Sequence, residues 1–250
     1  MFMSVVARDP GVDTYAELAG ARVAISGLSS AQGVDLARAF ADRKARLIIQ
    51  TPERSPEMVE IGALIAEAAS EVILFEAPFD AAETPTRFAQ RAAQTFGGLD
   101  AVINLVSVTR AECAAVSELA EIEDLVVAKL SVLREITVVA ANRMAVTWAE
   151  GTILNVVLAP VPQTSREAAV LGFLRTALAA MTSDLARRWA GDVVRINAIG
   201  PKATTFESSS GACLTSEPDI AALALYVASR KGRKLTGHVF DAEGVARRGC

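Results

Sequence analysis

Gln163 and Glu167 lie four residues apart, the spacing that puts two side chains on one face of a helix. A pair placed this way can pass a proton, but these two are poorly suited to it. Gln163 releases no proton at neutral pH, and a carboxylate at Glu167 would raise, not lower, the pKa of a neighbouring acid. Arg166 is adjacent in sequence yet projects about 100° away around a helix. Leu158, five residues before Gln163, has no hydroxyl to hold a substrate oxygen. Other reactive groups are scarce: two tyrosines, Tyr15 and Tyr226, and a single histidine, His238, which is more readily structural than catalytic. Cys113, Cys213 and Cys250 are odd in number and far apart. They form no metal-spaced cluster and no disulfide framework, so no metal centre is expected and a reducing cytoplasm is the simplest compartment.

Gly27 and Gly33 offer a different chemistry. Glycines between a strand and a helix let backbone N–H groups reach a pyrophosphate at the helix N-terminus.

The elements that must position these groups follow from hydrophobic patterning. Short apolar runs alternate with longer helical patterns, which signals βαβ units and a parallel sheet. The strand candidates are 22–26, 45–50, 71–75, 101–106, 152–158, 193–198 and 239–241. Most are rich in Val, Ile and Leu without alternation, as strands buried on both faces are. Helices are expected at about 31–43, 56–69, 83–97, 115–147, 165–190 and 217–230. Seven strands and six helices in alternation describe one doubly wound Rossmann-type domain over 17–250, with helices on both faces of a seven-stranded parallel sheet. Residues 1–16 are expected to be an N-terminal arm, and 207–211 a loop before the last helix.

Composition supports this class. Apolar residues reach 52% against 22% charged, enough for a large core. The mean hydropathy of +0.33 arises from dispersed Ala and Val, and no uncharged apolar run approaches the roughly 18 residues of a membrane span. The first ten residues lack the basic and apolar regions of a signal peptide. A net charge of −4 argues against nucleic acid as a partner.

Four segments in order carry a resemblance to the short-chain dehydrogenase/reductase family. Leu-Ala-Gly-Ala-Arg-Val-Ala-Ile-Ser-Gly at 18–27 resembles its opening strand. Gly-Gly-Leu-Asp-Ala-Val-Ile-Asn at 97–104 resembles the approach to its Asn-Asn-Ala-Gly motif. Arg195-Ile196-Asn197 with Pro201 resembles its Arg-Val-Asn-x-x-x-Pro-Gly segment. Leu235-Thr236-Gly237 and Asp241-Ala242-Glu243-Gly244 resemble its C-terminal signature.

What the resemblance implies is a scaffold without its chemistry. The family's catalytic Asn, Ser, Tyr and Lys fall on Lys129, Leu158, Gln163 and Glu167, so no catalytic residue is expected. The loop between Leu158 and Gln163 is shorter than the family's. In the glycine motif Gly27 and Gly33 remain and the middle glycine is Ala31. The second strand ends at Gln50-Thr51 without an acid for the ribose. The adenine-contacting Asp falls on Ala77, and Asn104 is followed by Leu105, Val106 and Ser107. These positions, Gly27, Ala31, Gly33, Ala77 and Asn104, form a vestigial site in which no tightly bound cofactor is expected. An ion pair between Lys129 and Glu167 is one possible substitute for the lost network.

The family associates through its fifth and sixth long helices, here 115–144 and 167–189. The second of these carries Val170, Leu171, Phe173, Leu174, Leu178, Met181 and Leu185, a wider apolar surface than one buried stripe needs. The expectation is therefore a non-catalytic subunit that stabilises or completes an active homologous subunit in a hetero-oligomer, expected to be a tetramer, with NAD bound by the active partner. It is similar in kind to the degenerate subunit of a hydroxybenzylsuccinyl-CoA dehydrogenase, a hydroxyacyl-CoA dehydrogenase of toluene catabolism. The alternatives are an active NAD(P)-dependent oxidoreductase with atypical catalytic residues, and a ligand-sensing regulator on the same scaffold. Neither nucleic acid nor membrane is an expected partner.

Overall fold

The structure, a computed structural model, describes residues 15–81, 83–147, 150–191, 194–202 and 213–245. Seven strands form one sheet in the order β3-β2-β1-β4-β5-β6-β7, and every pairing is parallel. They are β1 (Arg22–Ser26), β2 (Arg46–Thr51), β3 (Glu71–Glu76), β4 (Ala101–Ser107), β5 (Gly151–Leu158), β6 (Val194–Pro201) and β7 (Val239–Ala242). All eight residues of β5 are buried, which explains why its largely apolar sequence shows no alternation. The strand order reverses between β1 and β4, and a doubly wound sheet opens its crevice at the C-terminal ends of those strands.

Helices α1 (Val34–Ala41), α2 (Pro56–Ala68) and α7 (Glu217–Ala228) pack on one face through Leu36, Phe40, Met58, Ile65, Ile220 and Ala224. On the other face α3 (Pro85–Thr95), α5 (Leu119–Val146) and α6 (Ser165–Arg188) bury Phe88, Ile136, Met144, Leu174 and Leu185. Length and composition alone would let α6 cross a membrane. Here it lies along β6 with Val170, Leu171, Leu174 and Leu178 turned into the core.

Three features differ from the expectation. The helix expected at 115–147 is present as α5, and a short helix that was not expected, α4 (Arg110–Ala115), precedes it. Among the described residues there are thus seven α-helices, not six. The separation of the two helices has a local cause. Thr109 and Glu112 form a reciprocal capping box that starts α4, and Glu118 with Glu121 forms a second that starts α5. Next, α1 begins at Val34, not at residue 31, because Ser29 and Gln32 exchange backbone hydrogen bonds and hold a closed turn. Last, Tyr15, placed in the arm, is docked. Its ring lies under the Arg43 guanidinium and the Lys231 ammonium, at 5.8 and 5.3 Å. Residues 1–14 of that arm, the loop at 207–211 and Cys250 lie outside the described residues.

Candidate functional site

The crevice at the ends of β1 and β4 is bounded by the turn Gly27–Gly33. Gly27 and Gly33 have φ of 77° and 86°, a region L-residues rarely adopt. A Cβ at Gly27 would collide with the Leu105 carbonyl oxygen, and one at Gly33 with the Leu105 and Leu28 side chains. Both glycines are thus required by the packing of this turn on β4, whatever the crevice binds.

A pyrophosphate would need free N–H groups on this turn. In this structure every backbone amide from Gly27 to Gln32 donates to the protein itself. Gly27 N–H reaches Gln50 Oε1 at 2.8 Å, and Leu28 N–H reaches the Gln50 carbonyl at 3.1 Å. Ser29 and Gln32 bond each other, at 3.0 and 3.2 Å. Ser30 N–H donates to Glu53 Oε2 at 2.9 Å, and Ala31 N–H to Ser29 Oγ at 3.3 Å. Gln50 is 1% exposed, and its Nε2 donates to the Ala77 carbonyl at 2.7 Å. One amide side chain therefore ties together the ends of β1, β2 and β3.

The start of α1 is also occupied. Glu217, in the first turn of α7, accepts the Asp35 N–H at 2.8 Å. Burial pushes the Glu217 carboxyl above its ordinary value, and the neighbouring Asp35 adds to this. The amides of Asp35, Leu36 and Gly33 pull the other way.

The four positions implied by the resemblance are all engaged structurally. Leu158 is 2% exposed and belongs to the core. The Gln163 side chain is exposed, while its backbone N–H donates to Glu167 Oε2 at 2.6 Å. Glu167 is 5% exposed, and its own N–H donates to the N-cap Thr164 Oγ1 at 3.1 Å. Both of its carboxylate oxygens accept from Arg110 Nη1, at 3.0 and 3.1 Å. Arg110 Nη2 further donates to the Val161 carbonyl at 3.1 Å. Lys129 Nζ bonds Glu112 Oε1 at 2.6 Å. Burial acts to raise the Glu112 carboxyl, but the Lys129 ammonium and the Thr109 N–H together hold it below its usual range. The Lys129–Glu167 pair is not formed. Helix α4, which was not foreseen, supplies a separate partner to each: Arg110 to α6 and Glu112 to α5.

Asn104 does not face the crevice. It is fully buried between Ser26, whose Oγ donates to Asn104 Oδ1 at 3.0 Å, and Asn155, whose Oδ1 accepts from Asn104 Nδ2 at 2.8 Å. Thr137 Oγ1 donates to the same Asn155 oxygen at 3.1 Å. This polar row crosses β1, β4 and β5 in register and anchors α5. Ala31 lines a cleft of about 630 Å³ with Ser29, Pro52, Ser107, Arg110 and Val161. An adjoining hollow of about 380 Å³ meets Phe79, Val106, Leu125 and Lys129.

The remaining reactive groups lie elsewhere. His238 precedes β7, with its N–H on Asn197 Oδ1 at 3.1 Å, and Tyr226 sits on α7. Buried Cys113 has its thiol pushed up by desolvation, with Glu167 and Glu112 adding to the effect. Among the described residues no three His, Cys, Asp or Glu side chains gather as metal ligands.

Comparisons with known proteins agree with this architecture. A family model described as enoyl-(acyl carrier protein) reductase matches residues 27–217. An uncharacterized oxidoreductase of Mycobacterium tuberculosis is 26% identical over 241 residues, covering 88% of this chain and 89% of that protein. A short-chain type dehydrogenase/reductase from Mycobacterium marinum superposes with a TM-score of 0.71 at 17% identity, over 92% of this chain and 96% of that one. A short-chain dehydrogenase from Burkholderia cenocepacia, solved in complex with NADP, gives 0.67 at 22% identity, over 91% and 98%. At these identities the two solved structures speak for the fold alone.

Proposed function

The chain belongs to the short-chain dehydrogenase/reductase family of oxidoreductases, and from that premise we propose that it turns over no substrate itself and serves as a structural subunit beside an active homologue. One observation carries this reading. The two positions that would hold the proton relay, Lys129 and Glu167, are tied by ion pairs to Glu112 and Arg110 on α4, and among the described residues no tyrosine hydroxyl bonds either of them. General acid catalysis of hydride transfer requires a group able to give up a proton next to the carbonyl oxygen. Gln163 and Leu158 have none.

The second part of the reading is that NAD is not held tightly by this chain and is bound by the partner. It is supported by the internally bonded amides of Gly27–Gln32 and by the carboxylates at Ser30 and Asp35. The partner reading rests on exposed apolar residues of the two long helices. Val127 on α5 is 64% exposed and Phe173 on α6 is 50% exposed. A hetero-oligomer of this chain with an active short-chain dehydrogenase is the assembly we favour, expected to be a tetramer. A hydroxyacyl-CoA dehydrogenase of aromatic catabolism is the kind of enzyme it fits. The free thiols Cys113 and Cys213 suit a reducing cytoplasm.

The test is co-expression with active homologous dehydrogenases from the same genome, followed by native mass measurement and NADH titration of each component. A stable complex whose turnover resides in the partner supports the reading. Saturable NAD(P)H oxidation by the purified chain alone overturns it.

A further inference from the structure

The loop Pro52–Glu53 and the first turn of α7 each bring a carboxylate to the turn that enters α1. Glu53 follows the end of β2, where its own N–H donates to Thr51 Oγ1 at 3.1 Å and fixes the loop. From there its Oε2 meets the Ser30 amide at 2.9 Å. Glu217 reaches across from α7 to the Asp35 amide at 2.8 Å. The two amides flank Gly33, at the entrance to α1, where the helix dipole favours an anion. Neither carboxylate has a cationic partner among the ion pairs of the described residues. Their counter-charge is the backbone itself.

We infer that Glu53 and Glu217 are the chain's own substitutes for the phosphates of a dinucleotide, satisfying the anion-seeking turn from within and excluding an external phosphate. The inference rests on the reading that this chain holds no NAD tightly, and it names the residues responsible. Charge supports it as well as geometry: a pyrophosphate brought to this turn would face two carboxylates and find its donors taken. Gln50 completes the closure, since its side chain occupies the Gly27 amide. The occupied turn gives the fold an anchored crevice at any cofactor concentration, which a subunit kept for its surfaces would need.

The experiment replaces both groups by alanine, Glu53→Ala with Glu217→Ala, and titrates inorganic pyrophosphate and then NADH by calorimetry. The double variant is expected to bind pyrophosphate at least tenfold more tightly than the wild type, with an affinity that falls as salt rises. Equal, undetectable binding by both proteins, with circular dichroism showing the variant folded, overturns the inference. Should the alanine pair not fold, Glu53→Gln with Glu217→Gln keeps an oxygen acceptor on each side chain and removes only the charge. A gain of threefold or more then supports the inference, and no gain overturns it. Turnover by the wild type would overturn the non-catalytic reading and leave a distinct result here, since it is measured as product and not as pyrophosphate binding.

Discussion

Arg110 holds Glu167 through one guanidinium nitrogen placed 3.1 and 3.0 Å from the two carboxylate oxygens, joining α4 to the first turn of α6. Glu167 is 7% exposed in its side chain and Arg110 41%, so the carboxylate depends on the pair more than the guanidinium does. Arg110→Ala leaves a buried carboxylate with only the Gln163 amide and is expected to lower stability by about 1–3 kcal/mol, below the range for a fully buried pair because solvent screens the arginine. Arg110→Met with Glu167→Met should recover most of the loss. Urea midpoints of the three proteins check this. An alanine variant as stable as the wild type would remove the structural role assigned to Arg110.

The same pair bears on attempts to rebuild a catalyst. Leu158→Ser, Gln163→Tyr and Glu167→Lys together restore three of the family's four residue types, leaving Lys129 in place of the Asn. A lysine at 167 would, however, face Arg110 instead of pairing with it, and the serine would put a hydroxyl into the core. The triple variant is expected to lose about 2 kcal/mol or more and to show no NADH oxidation. Turnover by this variant, followed by the absorbance of the reduced nicotinamide, would show that the crevice still admits the cofactor.

Much of this was legible in the sequence, and the reasons are physical. The strands were, because both faces of the sheet are covered and their residues need no alternation. The loss of Ser, Tyr and Lys types was legible from the family resemblance of the flanking segments. What replaced them was not. The Lys129–Glu167 pair failed because Arg110 and Glu112 lie on a helix of six residues, too short for an apolar period to announce. Its one signal was Thr109 three residues before Glu112, a capping pattern that begins a helix of any length. Likewise Gln50 reads as a missing acid, and only the fold reveals that it bonds Gly27 and Ala77.

Gly27 provides a test of packing separated from cofactor binding. Its φ of 77° and the approach of the Leu105 carbonyl both oppose a Cβ. Gly27→Ala is expected to cost about 2–4 kcal/mol in the protein without any nucleotide. Ala31→Gly, on the same turn, should change stability by less than about 1 kcal/mol. Thermal unfolding of both variants decides it. A Gly27→Ala protein of unchanged stability would mean that the turn can shift away from β4.

Glu217 sets a pH dependence of known sign. Its folded pKa lies above the unfolded one, chiefly because of burial. Between those two values the folded state binds more protons than the unfolded state, so this group's contribution to stability falls as pH rises through the window. Glu217→Gln keeps an acceptor for the Asp35 amide and has no such slope. It is expected to gain on the wild type as pH rises from the ordinary carboxylate range toward neutrality, and to show no such advantage below that range. Denaturation midpoints of both proteins across this interval measure it, and a gap that widens toward acid would reverse the assignment.

Association should be separable from folding. Val127 and Phe173 are exposed on α5 and α6 and contribute little to the core of one chain. Val127→Glu with Phe173→Glu is therefore expected to stay within about 0.5 kcal/mol of the wild type for each site, if measured on a single protomer. Burying a carboxylate without a partner at an interface costs far more than placing it in water. The double variant should therefore lose the homologous partner in co-purification and give a smaller native mass. An intact complex of unchanged mass would place the contact on other surfaces of the fold and remove the two long helices from the proposed interface.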